Sequence, residues 1–532
     1  MEEGVLMINY WWVTRPKRKL NSIPEILAVF STVSLDAQWQ GSINLHRKFE
    51  DELEESGLKR VGERRDARGS GGRTYYAWLA SLGLVFTQES TSKSYLTLAG
   101  EAIMQGRSPV EILKNQVLKY QFPSPFSLSV QSSKTRVNDR FRIRPFRFLI
   151  KLLSDNRVQY LTTDEIAKII IVEAENESDL CYEYIVNRIY AYRSYGDEIL
   201  DEDYFIKYAP SSGKVNPEHP FSHLYDTANT IVNWLDYTQL IYREEGGVIK
   251  LLDDKRDEIN YILANKPVFI DRPENQEYFQ RKFGLDPWHQ KDTRNLANSK
   301  TITSRMIDMQ RIRQAFIAYS IHRPIKSITT DVVDYVVNIT GADGKLVENT
   351  LLEIYPNGAI SGFMTEYFEM AFKGTEEAVN FEIATTELFK EVFGFETKHL
   401  GQTGSKSAPD VLLVSNNEGY QAIIDNKAYS KYSISGDHHN RMVHNYIENI
   451  SKYSEYSHPI GFFTYIAGGF GNQIDRQIQS IVAECGVHGS GMTVSNMIKL
   501  VEKQNETPLS HRDIKNIFSV DRQIVLSDIE VI

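Results

Sequence analysis

Two aspartates and a lysine, Asp410, Asp425 and Lys427, stand at the ends of two short apolar runs and give the chain its most specific chemistry. The runs are Val411-Leu-Leu-Val414 and Tyr420-Gln-Ala-Ile-Ile424, joined by Ser415-Asn-Asn-Glu-Gly419. Apolar, β-branched runs around an Asn/Gly-rich turn predict a β-hairpin, and a loop symmetric about Asn417 and Glu418 sets position 410 opposite position 425. Directly opposed residues of antiparallel strands have Cβ atoms about 4.5–5.5 Å apart, and carboxylates that close repel unless a proton or cation lies between them. Mg2+ meets that need. Side chains alternate along a strand, so Lys427 shares the face of Asp425, while Asn426 points away and offers its backbone carbonyl as a further hard oxygen ligand. Mg2+ held by Asp410 and Asp425 would polarise a phosphodiester and acidify a bound water, with Lys427 orienting that water or offsetting developing charge. A surface turn with a local Asp–Lys pair is the plainer alternative. Carboxylates at the ends of apolar strands, costly to bury unpaired, argue against it.

The elements around the hairpin are those needed to hold it. Before it, Phe381–Phe393 has helical periodicity and carries Glu382, Glu387 and Glu391. After it come a helical stretch, Asn440–Tyr456, a buried strand, Ile460–Ile466, and the glycine-rich Gly468-Gly-Phe-Gly471. That order suits a mixed sheet flanked by helices. Asp437-His438-His439-Asn440 with His444 is a rival histidine cluster, of HNH or metal type. Paired strands and a distant second histidine are not evident, so a polar loop feeding a helix accounts for it, although Asp437 or His438 could still approach the active site.

Pro409-Asp410 followed by Asp425-x-Lys427 resembles the PD-(D/E)xK nuclease signature. With Glu387-Leu-Phe-Lys-Glu-Val-Phe-Gly-Phe395 and Lys398-His-Leu-Gly401 upstream and Lys427-Ala-Tyr-Ser430 downstream, the stretch 380–470 resembles the cleavage domain of FokI-like type IIS restriction endonucleases. The whole-chain plan resembles the AlwI-like group of type IIS and nicking endonucleases. This resemblance implies a Mg2+-dependent endonuclease that binds a short asymmetric duplex sequence and cuts at a fixed distance from it. It implies a helical glutamate in the site, Glu382, with Glu387 in reserve, and a cognate DNA methyltransferase in the host. It also implies transient dimerisation through the helix after the hairpin. There Met442, Val443, Tyr446, Ile447 and Ile450 form an apolar stripe that core packing explains equally well. Alignment puts Arg441 and Asn445 where the family has an acidic and a basic residue one turn apart, so the same self-pairing does not carry over. The expectation is a monomer that pairs weakly on DNA, works with a small second nuclease subunit, or nicks one strand.

Over 532 residues, 41% hydrophobic and 24% charged, the composition is that of a multidomain globular protein. No apolar run reaches the roughly 18–20 residues that cross a bilayer, and Met1-Glu-Glu-Gly lacks a basic signal n-region, so a cytoplasmic location is expected. Two cysteines, Cys181 and Cys485, support neither a disulfide framework nor a zinc site. Net charge is −10, yet basic residues cluster. One cluster is Arg15, Lys17, Arg18 and Lys19, a second Lys59, Arg60, Arg64, Arg65, Arg68 and Arg73, a third Arg140, Arg142, Arg144 and Arg147. Phosphate contact on double-stranded DNA is the functional reading, a solvated basic face the alternative.

Two stretches read helix, strand, turn, strand: Arg73–Leu98, and Asn233–Leu252 with its Gly246-Gly247 turn. Both contain Trp-Leu-x4-Leu, at Trp78 and at Trp234, which makes duplicated winged-helix modules the expected architecture. Leu161-Thr162-Thr-Asp-Glu165 has a capping-box start that could open the second module. The predicted plan is mainly α winged-helix recognition modules at 1–150 and 151–265, a connector at 266–340, and an α/β PD-(D/E)xK nuclease domain with a mixed, helix-flanked sheet at 341–532. A DNA-binding regulator with an idle nuclease fold is the alternative from another class.

Overall fold

The computed structural model describes residues 6–64, 66–127, 135–210, 215–296, 304–401 and 408–531. They form two compact units, residues 1–318 with 330–354, and residues 319–329 with 355–532. Among the described residues no helix is long and apolar enough to cross a membrane.

The first unit is mainly helical. Helix α1 (Ile23–Ser34) starts on Pro24, whose fixed φ suits a first turn, and α2 (Ile43–Glu55) starts on Ser42, whose hydroxyl accepts from the Leu45 amide. Helix α3 (Ser70–Ser81) lies so close to α2 that a Cβ at Gly72 would stand 2.2 Å from the His46 carbonyl oxygen. Strands β1 (Val85–Thr87) and β2 (Ser94–Leu96) form an antiparallel hairpin, and the chain leaving α1 bridges it at Leu35–Ser94 and Gln38–Lys93. Phe30, Phe49, Leu53 and Trp78 fill the space between these helices.

A second group of elements also ends in a helix followed by a hairpin. Helix α4 (Pro145–Ser154) is followed by β3 (Leu161–Thr162), a helical stretch α5 (163–173) with a π-helical middle, α6 (Asp179–Tyr195), α7 (Ser222–Tyr237), and strands β4 (Ile241–Glu244) and β5 (Val248–Leu251). The strands pair antiparallel in the order β3-β5-β4. The capping box expected at Thr162 is formed with Glu165. Trp234 stacks on Phe146 at 5.7 Å, and Trp78 and Trp234 are both fully buried.

The segment expected as a connector does more than connect. Helix α8 (Gln276–Phe283) packs on the first group, where the Gln280 amide donates to the carbonyls of Ala80 and Val85 and is itself buried. Polar, proline-punctuated sequence hid this because the attachment is short, made by the buried Phe279 and Phe283 on either side of Gln280. The helices Thr330–Thr340 and Gly344–Ile354 belong to the first unit, whereas 319–329 belongs to the second, so the boundary is interleaved and not a single cut near 340.

In the second unit, helices α9 (Ser361–Met370) and α10 (Ala378–Glu391) precede a six-stranded sheet. Its strands are β6 (Glu396–His399), β7 (Val411–Ser415), β8 (Tyr420–Lys427), β9 (Ile460–Ala467), β10 (Gly489–Thr493) and β11 (Arg522–Gln523), in spatial order β11-β10-β9-β8-β7-β6. Pairings β6–β7 and β7–β8 are antiparallel, and β8–β9, β9–β10 and β10–β11 parallel, so the sheet is mixed, as expected. β7 is buried throughout, β8 as far as Asn426 and β9 from Gly461 on, which is why they read as continuous apolar runs. Helices α11 (Gly436–Asn440), α12 (Ile474–Cys485) and α13 (Val494–Glu506) flank them. The regular helix expected over Asn440–Tyr456 is instead α11 running into a π-helical turn, Arg441–Ile447, and a 3-10 turn, Ile450–Lys452. Met442, Val443, Tyr446 and Ile447 pack in the core with Ile423, Tyr465, Ile474 and Ile478, so the apolar stripe faces inward.

Candidate active site

The hairpin register runs from Tyr420 opposite Ser415 to Ile424 opposite Val411, so the next facing positions are Asp425 and Asp410. One Asp410 carboxylate oxygen accepts from the Asn426 backbone amide at 2.6 Å. Lys427 Nζ stands 2.8 Å from Asp425 Oδ2, and both side chains are nearly buried. Burial first, and then the facing Asp425 carboxylate, push the Asp410 carboxyl well above its ordinary pKa. Burial alone would lower the Lys427 pKa, but Asp425 and Asp410 outweigh it and the ammonium is held more firmly charged. Two buried carboxylates thus share one ammonium, which leaves negative charge for a cation to neutralise.

Asn426 points to the other face of the sheet. Its side-chain amide donates to Thr385 Oγ1 on α10 at 2.7 Å, and Thr385 donates to the Phe381 carbonyl and meets the Tyr367 hydroxyl of α9 at 3.0 Å. This chain of polar contacts fixes the catalytic strand against both helices. From α10 the half-buried Glu382 reaches His399 Nε2 at 3.0 Å, and its charge acts on both Asp410 and Lys427. A Cβ at Gly401 would lie 1.9 Å from Glu382 Oε2, so only glycine leaves room for that carboxylate. Glu387 faces solvent.

Three tyrosines missed in the sequence surround the carboxylates. Tyr465 pairs in register with Asp425 on the neighbouring parallel strand, and Tyr432 and Tyr446 cover the same side. Burial and then the Asp425 charge raise the pKa of all three, keeping them neutral donors. Tyr432 Oη is 2.8 Å from His438 Nδ1, and burial followed by the Lys427 charge lowers the His438 pKa. The alternation of β9 was the available signal for Tyr465; nothing local pointed to Tyr432.

The rest of the histidine cluster is tied up with acids. His439 contacts Glu484 at 2.8 Å and His444 contacts Glu448 at 3.2 Å. Arg441 pairs with Asp437 at 2.5 Å, and Asn445 is half-buried in the π-turn. Among the described residues no group of three or more His, Cys, Asp or Glu side chains is arranged as a metal centre. The Asp410–Asp425 pair still suits a hard divalent ion such as Mg2+, because its donors are carboxylate oxygens with more negative charge than Lys427 balances.

The basic clusters are largely engaged internally. Lys59 pairs with Glu50 and Glu54, Arg64 with Glu54 and Asp51, and Arg73 with Asp66. Arg60 is 86% exposed beside Glu63, Arg68 is exposed, and Arg65 lies outside the described residues. Arg144 is buried on Glu177, Arg147 donates to the carbonyls of Ile262 and Leu263, Arg140 pairs with Glu175, and the exposed Arg142 with Asp271. Arg15 stacks over Trp12 at 4.4 Å, Lys17 is half-buried, Arg18 pairs with Asp226, and Lys19 is exposed.

The FokI cleavage domain model matches residues 341–525, a span that contains Asp410, Asp425 and Lys427. The AlwI restriction endonuclease model matches residues 80–348, just over half of the chain. Comparison with curated proteins finds no match. Among solved structures, restriction endonuclease FokI is 14% identical over 97% of this chain and 100% of its own, with a TM-score of 0.28. FokI bound to DNA gives 14%, 98%, 100% and 0.28. The BpuJ1 endonuclease binding domain is 17% identical over 54% of this chain and 97% of its own, with a TM-score of 0.35. On the two family matches, the chain belongs to the AlwI restriction endonuclease family, carries a FokI-type cleavage domain at its C-terminal end, and is a type IIS restriction endonuclease.

Proposed function

We propose that the first unit binds a short asymmetric sequence in double-stranded DNA and that the second hydrolyses phosphodiester bonds at a fixed distance outside it, using Mg2+. The observation that carries the chemistry is the facing Asp410–Asp425 pair with Lys427 at 2.8 Å. Asp410, Asp425, the Asn426 carbonyl and Glu382 would hold the ion, which when bound supplies Lewis-acid polarisation of the phosphate and a more acidic water. Asp425 fixes the Lys427 ammonium, which orients the attacking water and offsets charge developing on the phosphate oxygens. His399 holds Glu382 towards the pair, and the Thr385–Asn426 bond keeps the strand from shifting as charge builds up.

For recognition, the helix followed by an antiparallel hairpin that closes each group of the first unit, α3 with β1–β2 and α7 with β4–β5, supports reading both as winged-helix modules. Each would place the helix before its hairpin, α3 or α7, against a groove. The matching modification activity would come from a cognate DNA methyltransferase, which protects the host's own sites.

A second reading is strand-specific nicking, alone or as the large subunit beside a small second nuclease. It is favoured by the inward-facing stripe of the π-turn and by the internal Arg441–Asp437 pair, which leave little of the expected dimer surface free. Incubating a plasmid library of random sites with the full chain, with and without Mg2+, and sequencing the ends tests the assignment. A single motif with a constant offset is expected; scattered ends, or cutting after exhaustive chelation, would defeat it.

A further inference from the structure

Helix α7 is buried on most of its surface, by Leu224, Thr227, Ala228, Ile231, Trp234 and Leu235 among others. Asp226, Asn229, Asn233 and Asp236 follow at i, i+3, i+7 and i+10, a single stripe, and all four are partly exposed. Arginines from two other parts of the chain are laid on this stripe. Arg18, 61% exposed, sets a guanidinium nitrogen 2.7 Å from Asp226 Oδ1. Arg243, from β4, donates to Asn233 Oδ1 at 2.5 Å and stands 3.6 Å from Asp236 Oδ2. Asn229 lies between the two arginine positions.

We infer that this stripe is a base-reading surface, with Arg18, Asn229 and Arg243 as specificity-determining residues. The inference rests on the reading of the first unit as the DNA-recognition part. A phosphate-binding face needs net positive charge. Here Asp226 faces both Arg15 and Arg18, and Asp236 faces Arg243, so carboxylates offset much of the arginine charge, which suits the donor and acceptor edges of bases better than a charged backbone. A carboxylate bonded to one guanidinium nitrogen, as Asp226 is to Arg18, fixes the rotamer and leaves the other N–H groups of that exposed side chain free for a bidentate contact to guanine O6 and N7. A carboxamide such as Asn229 has the paired donor and acceptor that match adenine N6 and N7. The first group offers a parallel: five residues before each buried tryptophan stand Arg73, exposed on α3, and Asn229 on α7. Arg18, grouped in sequence with Arg15, Lys17 and Lys19 as a phosphate cluster, is thereby assigned to sequence reading.

The test is cleavage of a randomised-site library by the full-length chain and its Arg18→Ala, Arg18→Lys, Asn229→Ala and Arg243→Ala variants, with thermal unfolding to verify folding. Each alanine variant is expected to relax discrimination at one or two base positions by roughly 5- to 150-fold while the others stay strict. Arg18→Lys should relax specificity as Arg18→Ala does, because lysine keeps the charge and loses the planar fork. Folded variants with unchanged base profiles would overturn the assignment, as would uniform weakening rescued by Arg18→Lys, the behaviour of a phosphate contact. A wild-type chain with no sequence preference would instead sink the recognition reading beneath it.

Discussion

Lys427 Nζ and Asp425 Oδ2 are 2.8 Å apart on one face of β8, and Asp410, immediately before β7, looks onto the same pair. Local alternation makes this possible, since residues two apart on a strand share a face. Removing the ammonium takes away the cation that pairs with Asp425 and faces Asp410. Lys427→Ala is therefore expected to reduce cleavage by about 10²–10³-fold or more, while equilibrium binding to target DNA changes little. Single-turnover cleavage beside a filter-binding isotherm checks the split, and equal losses in both would count against it.

Asp410 carries a stability cost along with its proposed role. Its folded pKa is raised by burial and by Asp425, so its ionised form is disfavoured in the folded chain. For such a group, stability is fullest at low pH and is lost as pH rises above the ordinary carboxylate range. In metal-free buffer at pH 7, Asp410→Asn should therefore unfold at a higher temperature than wild type, and the gap should shrink as pH falls. A variant less stable than wild type at neutral pH would contradict the charge argument.

Glu54 gives the opposite sign in the first unit. Hydrogen bonds from Arg64 and Lys59 lower its carboxyl to about 2. Stability from this network is present above the ordinary carboxylate pKa and is lost as pH falls towards that depressed value. Glu54→Gln should lower the unfolding temperature at pH 6–8, with the difference closing between about pH 4.5 and 2. A constant difference across that window would mean that packing, not charge, is what the substitution removes.

Glu382 and Glu387 can be told apart. Glu382→Gln and Gly401→Ala should both depress cleavage, the second because its methyl group takes the space of the Glu382 carboxylate. Glu387→Gln, on a solvent-facing position, should cleave like wild type. The reverse ranking would put the helical carboxylate one turn further along α10.

The basic clusters divide into buried structural members and exposed ones. Arg144→Ala leaves Glu177 with only the half-exposed Lys266 and should destabilise the chain by roughly 1.5–3 kcal/mol without changing the salt dependence of DNA binding. Arg60→Ala or Arg68→Ala, on exposed side chains, should leave stability alone and flatten that dependence if they meet phosphates.

The catalytic hairpin was legible because everything that defines it is local. Asn417 and Gly419 mark the turn, the β-branched runs set the strands, and the side-chain period of two then fixes which of Asp425, Asn426 and Lys427 share a face. The helix bearing Glu382 and the two tryptophan-centred helices were legible for a similar reason, since their apolar spacing is regular. What failed to show was non-local. Lys59, Arg64 and Arg144 looked like free charge because their acidic partners, Glu50, Glu54 and Glu177, come from other elements. Met442, Val443, Tyr446 and Ile447 fit an exposed stripe as well as a buried one until α12 packs on them. Tyr432 covers the site only through a loop that the core holds in place.

Asp425→Ala in the full-length chain, assayed together for binding and for cleavage across a Mg2+ titration, tests the central assignment most directly. The prediction is target binding close to wild type with no cleavage at any Mg2+ concentration. Cleavage at the wild-type rate would mean that the chemistry is done somewhere other than the Asp410–Asp425–Lys427 face.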